Sequence, residues 1–132
     1  MKDLYLVRGL PGSGKTTLVE SLRQEGDFVV CNDDFRLDED GRYVYDATMT
    51  AEVNRRCADA VELAMKRGVE RIFVHCTLVR SWDLEAYREL AARFNYRVFF
   101  LVVENRHGGK NSHGVPQEVI EDKAKTFDIK LF

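Results

Sequence analysis

A chain of 132 residues with 45% hydrophobic and 32% charged residues has the balance of a single globular domain, taken here as residues 1–132. It holds no apolar run long enough to span a bilayer, so no membrane association is expected, and its net charge of −2 gives no global attraction to nucleic acid. Cys31, Cys57 and Cys76 form no Cys-x-x-Cys pair and read as small core residues, not as a disulfide framework or a zinc cage. No export signal is visible before the first motif, which makes the cytoplasm the default location, and no obligate protein partner is evident.

In chain order, Leu4 to Val7 is a short apolar run that predicts a buried strand, and it leads into a glycine-rich turn and a helix starting near Lys15. Phe28 to Cys31 predicts a second strand, followed by the polar turn Asn32-Asp33-Asp34-Phe35-Arg36 and the acidic loop Asp38-Glu39-Asp40-Gly41-Arg42. Val53, Cys57, Val61 and Ala64 mark one face of a helix, and Ile72 to Val74, continued by His75, is a third strand. Leu84, Tyr87, Ala91 and Phe94 mark the next helix, whose stripe reads as core and not as a base-stacking platform with Trp82. Val98 to Val103 is the fourth strand, and Gly26-Asp27, Gly68 and Asn95 fall where helices should stop. Strands alternating with helices predict an α/β domain of three α/β/α layers around a mostly parallel sheet of about four to five strands. Residues 106–116 fit neither period and form a candidate lid before the last helix.

Gly9-Leu10-Pro11-Gly12-Ser13-Gly14-Lys15-Thr16 matches the P-loop pattern G-x-x-x-x-G-K-[ST] at every fixed position, in the strand-to-helix context it requires. Glycines let successive amides turn inward around a phosphate, while the helix N-terminus adds its positive dipole end. The motif assigns ATP to Gly9, Pro11, Gly12, Ser13, Gly14, Lys15, Thr16 and Thr17, with Lys15 on the β- and γ-phosphates and the Thr16 hydroxyl on Mg²⁺. In a parallel sheet the second strand delivers Asp33, Asp34 and Arg36 to the same edge, so two acids and an arginine are expected to face the phosphates. Phosphoryl transfer to a hydroxyl needs a carboxylate that takes the attacking proton and a cation that holds an anionic acceptor, roles open to Asp33 and Arg36. The alternative is a solvated Asp-Asp turn that caps the next segment.

Gly-x-Pro-Gly-Ser-Gly-Lys-Thr-Thr at 9–17, Asp33-Asp34-Phe35-Arg36, Thr77 with Trp82 and Tyr87, and Lys110-Asn111-Ser112-His113-Gly114-Val115-Pro116 together resemble the polynucleotide-kinase-like P-loop kinases. That family includes the phage-type 5′-hydroxyl polynucleotide kinase and related small AAA_33-type ATP-binding proteins. The resemblance implies the P-loop kinase fold, ATP and Mg²⁺, and a hydroxyl acceptor, foremost the 5′ end of a nucleic acid. It also implies Asp33 as general base, Arg36 on an acceptor phosphate, and a lid cation at Lys110, for which Arg106 could substitute at the nucleotide. Family members usually have Arg at the place of Lys110 and Asp at the place of His75, and an imidazole cannot replace a carboxylate beside Mg²⁺. A nucleoside or sugar kinase and a nucleotide-binding protein without transfer remain the other readings. Glu104 reads as a strand-end residue, His107 and His113 as polar loop residues, and the arginines and lysines at 55, 56, 66, 67 and 71 as a solvated face.

Overall fold

The computed structural model describes residues 1–78, 81–106 and 114–129. Four parallel strands, β1 (Asp3–Arg8), β2 (Phe28–Cys31), β3 (Arg71–Cys76) and β4 (Arg97–Val102), form one sheet in the order β2-β3-β1-β4. Each observed strand contains or overlaps the apolar run that predicted it, with charged residues such as Asp3, Arg8, Arg71 and Arg97 extending the ends. The helices are α1 (Lys15–Leu22), α2 (Thr50–Lys66), α3 (Glu85–Phe94) and α4 (Gln117–Thr126).

Strand side chains alternate between the two faces of the sheet, and both alternations are apolar, as a sheet covered on both sides demands. Leu4, Leu6, Ile72, Val74 and Cys76 enter the larger core with the predicted α2 face, Cys57, Val61 and Ala64, and with Leu84, Tyr87 and Ala91 around α3. Val7 and Phe73 enter the smaller core against Val19 of α1. Tyr5 stacks between Phe73, at 4.7 Å, and Phe99, at 5.4 Å, and extends that second face toward β4. The result is the three-layer arrangement expected from the alternation of elements.

Asn95 ends α3 in the left-handed conformation at φ 62°, where a short polar side chain is tolerated. Gly68 follows α2 at φ 76°. Gly26, by contrast, does not end α1, which stops at Leu22; Asp27 closes the turn by accepting from the Gln24 amide. The acidic loop is closed by an isolated bridge between Leu37 and Tyr43. Arg55 and Arg56 pair with Glu52 and Asp59 along the exposed side of α2, a solvated face as expected. Among the described residues no helix is long and apolar enough to cross a membrane.

Ile72 is fully buried at the centre of the larger core. Ile72→Ala is expected to cost about 2–5 kcal/mol of stability, because the cavity cannot collapse between α2 and the sheet. Urea denaturation checks this; a loss below about 1 kcal/mol would show that the core is looser than its packing implies.

Candidate active site

All four strands run the same way, so the loops after β1, β2 and β3 leave one edge of the sheet. Val7 and Cys31 both register with His75, which puts the P-loop and the segment after β2 on either side of the end of β3. The P-loop turns at Gly12 (φ 83°) and Gly14 (φ 102°), conformations that a side chain would strain. Gly14 is also the N-cap of α1 and provides no side-chain cap, so the first-turn amides of that helix are available to a ligand.

Lys15 folds back along the loop, its Nζ donating to the carbonyls of Gly9 at 2.7 Å and Leu10 at 3.0 Å. Burial holds its pKa below the ordinary lysine value, partly offset by the negative charge of Asp33 nearby. Thr16 Oγ1 lies 3.5 Å from His75 Nδ1. His75 is buried, and burial lowers its pKa from an ordinary value of 6.5, so the imidazole is neutral at pH 7.

Asn32–Phe35 forms a single 3₁₀ turn directly after β2. It separates the two acids. Asp34 is exposed and its Oδ2 accepts from the Cys31 amide, so this residue caps the turn and corrects the expectation that both acids face the phosphates. Asp33 points into the cavity, where Tyr43 donates to Oδ1 at 3.1 Å and the Cys31 thiol donates to Oδ2 at 3.6 Å. Burial, reinforced by the Asp33 charge, pushes the thiol up to about 12 and raises the Tyr43 phenol as well, so both stay protonated donors at neutral pH. Arg36 is buried, stacks on Tyr45 at 4.8 Å and donates to the Asp46 carbonyl at 3.0 Å and to Thr50 Oγ1 at 3.1 Å.

These groups line one cavity of about 260 Å³. From the loop it takes Pro11, Gly12, Gly14, Lys15, Thr16 and Thr17; from the segment after β2 it takes Asp33 and Arg36. Gly9 and Ser13 shape the loop from behind, the first as a carbonyl acceptor and the second as a buried residue. Arg106 is not brought in: it is exposed and pairs with Glu104 at 2.6 Å, beyond the strand end that Glu104 was expected to mark. Lys110, His107, His113 and the central part of the 106–116 lid lie outside the described residues, while Val115 lines the cavity. Sequence reasoning missed Tyr43, Tyr45 and Lys123; Cys31 is buried as expected, and its thiol in addition faces Asp33.

Among the described residues Asp33 is the one acid in the lining, and no group of three or more His, Cys, Asp and Glu would hold a metal by itself. The Thr16 hydroxyl suits Mg²⁺, which keeps several waters and takes other ligands from nucleotide phosphates, and this leaves Asp33 out of the metal's ligand set.

The AAA_33 family model, described as an AAA domain, matches residues 4–127. Human NEDD4-binding protein 2 is 26% identical over 125 residues, covering 89% of this chain and 7% of that much longer protein. A sugar kinase from Janibacter sp. HTCC2649 superposes with a TM-score of 0.69 at 19% identity, covering 98% of this chain and 80% of the kinase. A chain of the Pnkp1/Rnl/Hen1 complex superposes with a TM-score of 0.62 at 17% identity, covering 98% of this chain and 41% of the other. Similarity at these identities establishes the fold, which is that of P-loop kinases.

A Cβ at position 9 would lie 2.5 Å from Ser13 Oγ and 2.7 Å from the Val103 carbonyl. The carbonyl belongs to backbone and cannot swing away, so Gly9→Ala is expected to displace the loop and weaken ATP binding by about tenfold or more. Calorimetric titration measures it; unchanged affinity would show that the loop tolerates the displacement.

Proposed function

We propose that this chain, which belongs to the AAA_33 family of AAA domains, transfers the γ-phosphoryl group of ATP to a hydroxyl, with the 5′-hydroxyl of a nucleic acid as acceptor. The observation that carries the reading is the single cavity shared by the P-loop and by Asp33 with Arg36. A protein that only bound nucleotide would have no use for an oriented carboxylate on the far side of the phosphates.

In this reading Lys15 leaves the Gly9 and Leu10 carbonyls when a nucleotide enters, exchanging two neutral acceptors for anionic phosphate oxygens. The first-turn amides of α1 and the glycine-shaped loop hold the phosphate chain, with Thr17 on the same helical turn. The Thr16 hydroxyl would hold Mg²⁺, which would supply charge neutralisation on the phosphates. Asp33, held by donors from Tyr43 and Cys31, accepts the proton of the attacking hydroxyl. Arg36 orients the acceptor from the other wall, and Lys110 in the lid stabilises charge on the migrating group. A cytoplasmic setting, where ATP and Mg²⁺ are plentiful, fits this chemistry.

The experiment is incubation with γ-labelled ATP and a panel of 5′-hydroxyl DNA and RNA, nucleosides and sugars. Label is expected on nucleic-acid 5′ ends; label on a sugar or nucleoside instead would replace the acceptor, and ATP loss without transfer would remove the kinase reading. Asp33→Asn is expected to keep ATP affinity while transfer falls by about a hundredfold or more. Undiminished transfer in that variant would exclude Asp33 as the base.

A further inference from the structure

Two of the chain's three cysteines meet outside the cavity. Cys57 lies on the buried face of α2 and Cys76 is the last residue of β3; both belong to the larger core, and their sulfur atoms are 3.9 Å apart. Cys31, the third, is turned to Asn32 and Asp33. Packing alone explains a small apolar group at position 57 or 76, since a buried cysteine behaves as one. It does not call for two thiols in contact, 19 residues apart in sequence, that nothing in phosphoryl transfer uses.

The two sulfurs are not equivalent. The Cys76 thiol and the Tyr87 hydroxyl donate to Cys57, and these bonds lower the Cys57 pKa from the ordinary thiol value although burial opposes them. Cys76 is raised instead, by that bond and by burial. Thiolate, not thiol, is the nucleophile in oxidation and exchange, so Cys57 is the attacking sulfur and Cys76 the resolving one. Cys76 is also bonded toward the site, because the Asn32 amide donates to its sulfur. Asn32 lines the cavity and opens the 3₁₀ turn that carries Asp33, and His75 and Thr77 on either side of Cys76 line the cavity too. The pair thus touches the turn of the candidate base without belonging to the cavity.

We infer that Cys57 and Cys76 are a reversible oxidation site, closed by a peroxide into a disulfide that disturbs the turn holding Asp33. The Cys57 thiolate attacks one oxygen of hydrogen peroxide and the O–O bond breaks, giving the sulfenic acid and a hydroxide that takes up the thiol proton as water. Cys76 then attacks the Cys57 sulfur, the S–O bond breaks, and the departing hydroxyl leaves with the Cys76 proton as a second water. Two thiols and one peroxide become one disulfide and two waters, and a thiol reductant reverses the step by exchange. The sulfurs must close from 3.9 Å to about 2.05 Å, so the sulfur bonded to the Asn32 amide is both shifted and changed from thiol to disulfide. Both sulfurs are buried, so the oxidant must be small and enters on local opening. That the disturbed turn slows phosphoryl transfer rests on the kinase reading; the oxidation itself does not.

The reduced full chain is treated with hydrogen peroxide, digested and mapped by mass spectrometry. A cross-link between the peptides bearing Cys57 and Cys76 is expected, about 2 Da lighter than the two apart and reversed by dithiothreitol. Hydrogen exchange at residues 32–36 should be faster in oxidised than in reduced parent by about tenfold, and peroxide should leave it unchanged in both Cys57→Ala and Cys76→Ser. Free thiols at 57 and 76 after peroxide, a link through Cys31 instead, or a cross-link with unaltered exchange at 32–36 would each overturn the inference. Label transfer from ATP, measured in parallel, separates the two readings. It is expected to fall by about tenfold or more in oxidised parent, to recover with dithiothreitol, and to persist in peroxide-treated Cys57→Ala. The cross-link and the exchange change with no transfer in any state keep the oxidation site and remove the kinase. Transfer that the cross-link leaves unchanged keeps the kinase and removes the switch.

Discussion

The parallel pairing of β3 between β1 and β2 is the constraint from which the site follows. Its register sets Val7, His75 and Cys31 in one row across the sheet, so three loops leave the same edge at nearly the same level. A shift of one residue would turn His75 away from α1 and send Phe73 and Val74 to the wrong cores. The register is fixed by burial on both sides: Leu6 and Val74 belong to the core under α2, Val7 and Phe73 to the core under α1. The apolar alternation that makes the fold therefore also sets the distance between phosphate loop and carboxylate.

The electrostatics of the cavity are those of a site prepared for anions. Lys15 is partly buried and rests on two loop carbonyls, Lys123 is partly buried beside Arg36, and the imidazole of His75 is neutral. Among the described residues the negative charge lining the cavity is concentrated in one oriented group, Asp33. The cations are preorganised in a partly dry setting, where they act more strongly on a charged ligand than they would in water. The cost of that arrangement is borne by the folded state until phosphates arrive.

Much of this was legible in the residues alone. The P-loop, the parallel sheet and the presence of Asp33 and Arg36 at its edge follow from local pattern plus one topological rule. The adjacency of β3 to β1 puts His75 next to Thr16. Other features depend on tertiary contacts that leave no local trace. Asp33 and Asp34 are indistinguishable as neighbours in sequence; the 3₁₀ turn directs one inward and the other to the Cys31 amide. Tyr43 and Tyr45 sit in a polar loop whose return to the site depends on the Leu37–Tyr43 bridge and on stacking with Arg36. Lys123 reads as an ordinary surface lysine until Arg8 is seen to hold the C-terminal segment against the strand end. An aromatic pair inside an otherwise polar loop was the one available signal for Tyr43 and Tyr45.

The central claim is that the loop at 9–16 holds the phosphates of ATP through Lys15. Calorimetric titration of ATP with Mg²⁺ into the parent and into Lys15→Ala tests it most directly. The account predicts that removing the ammonium weakens binding by about tenfold or more, since Lys15 is the motif's charged contact to the β- and γ-phosphates. Equal affinity in the two proteins, with both folded, would contradict it.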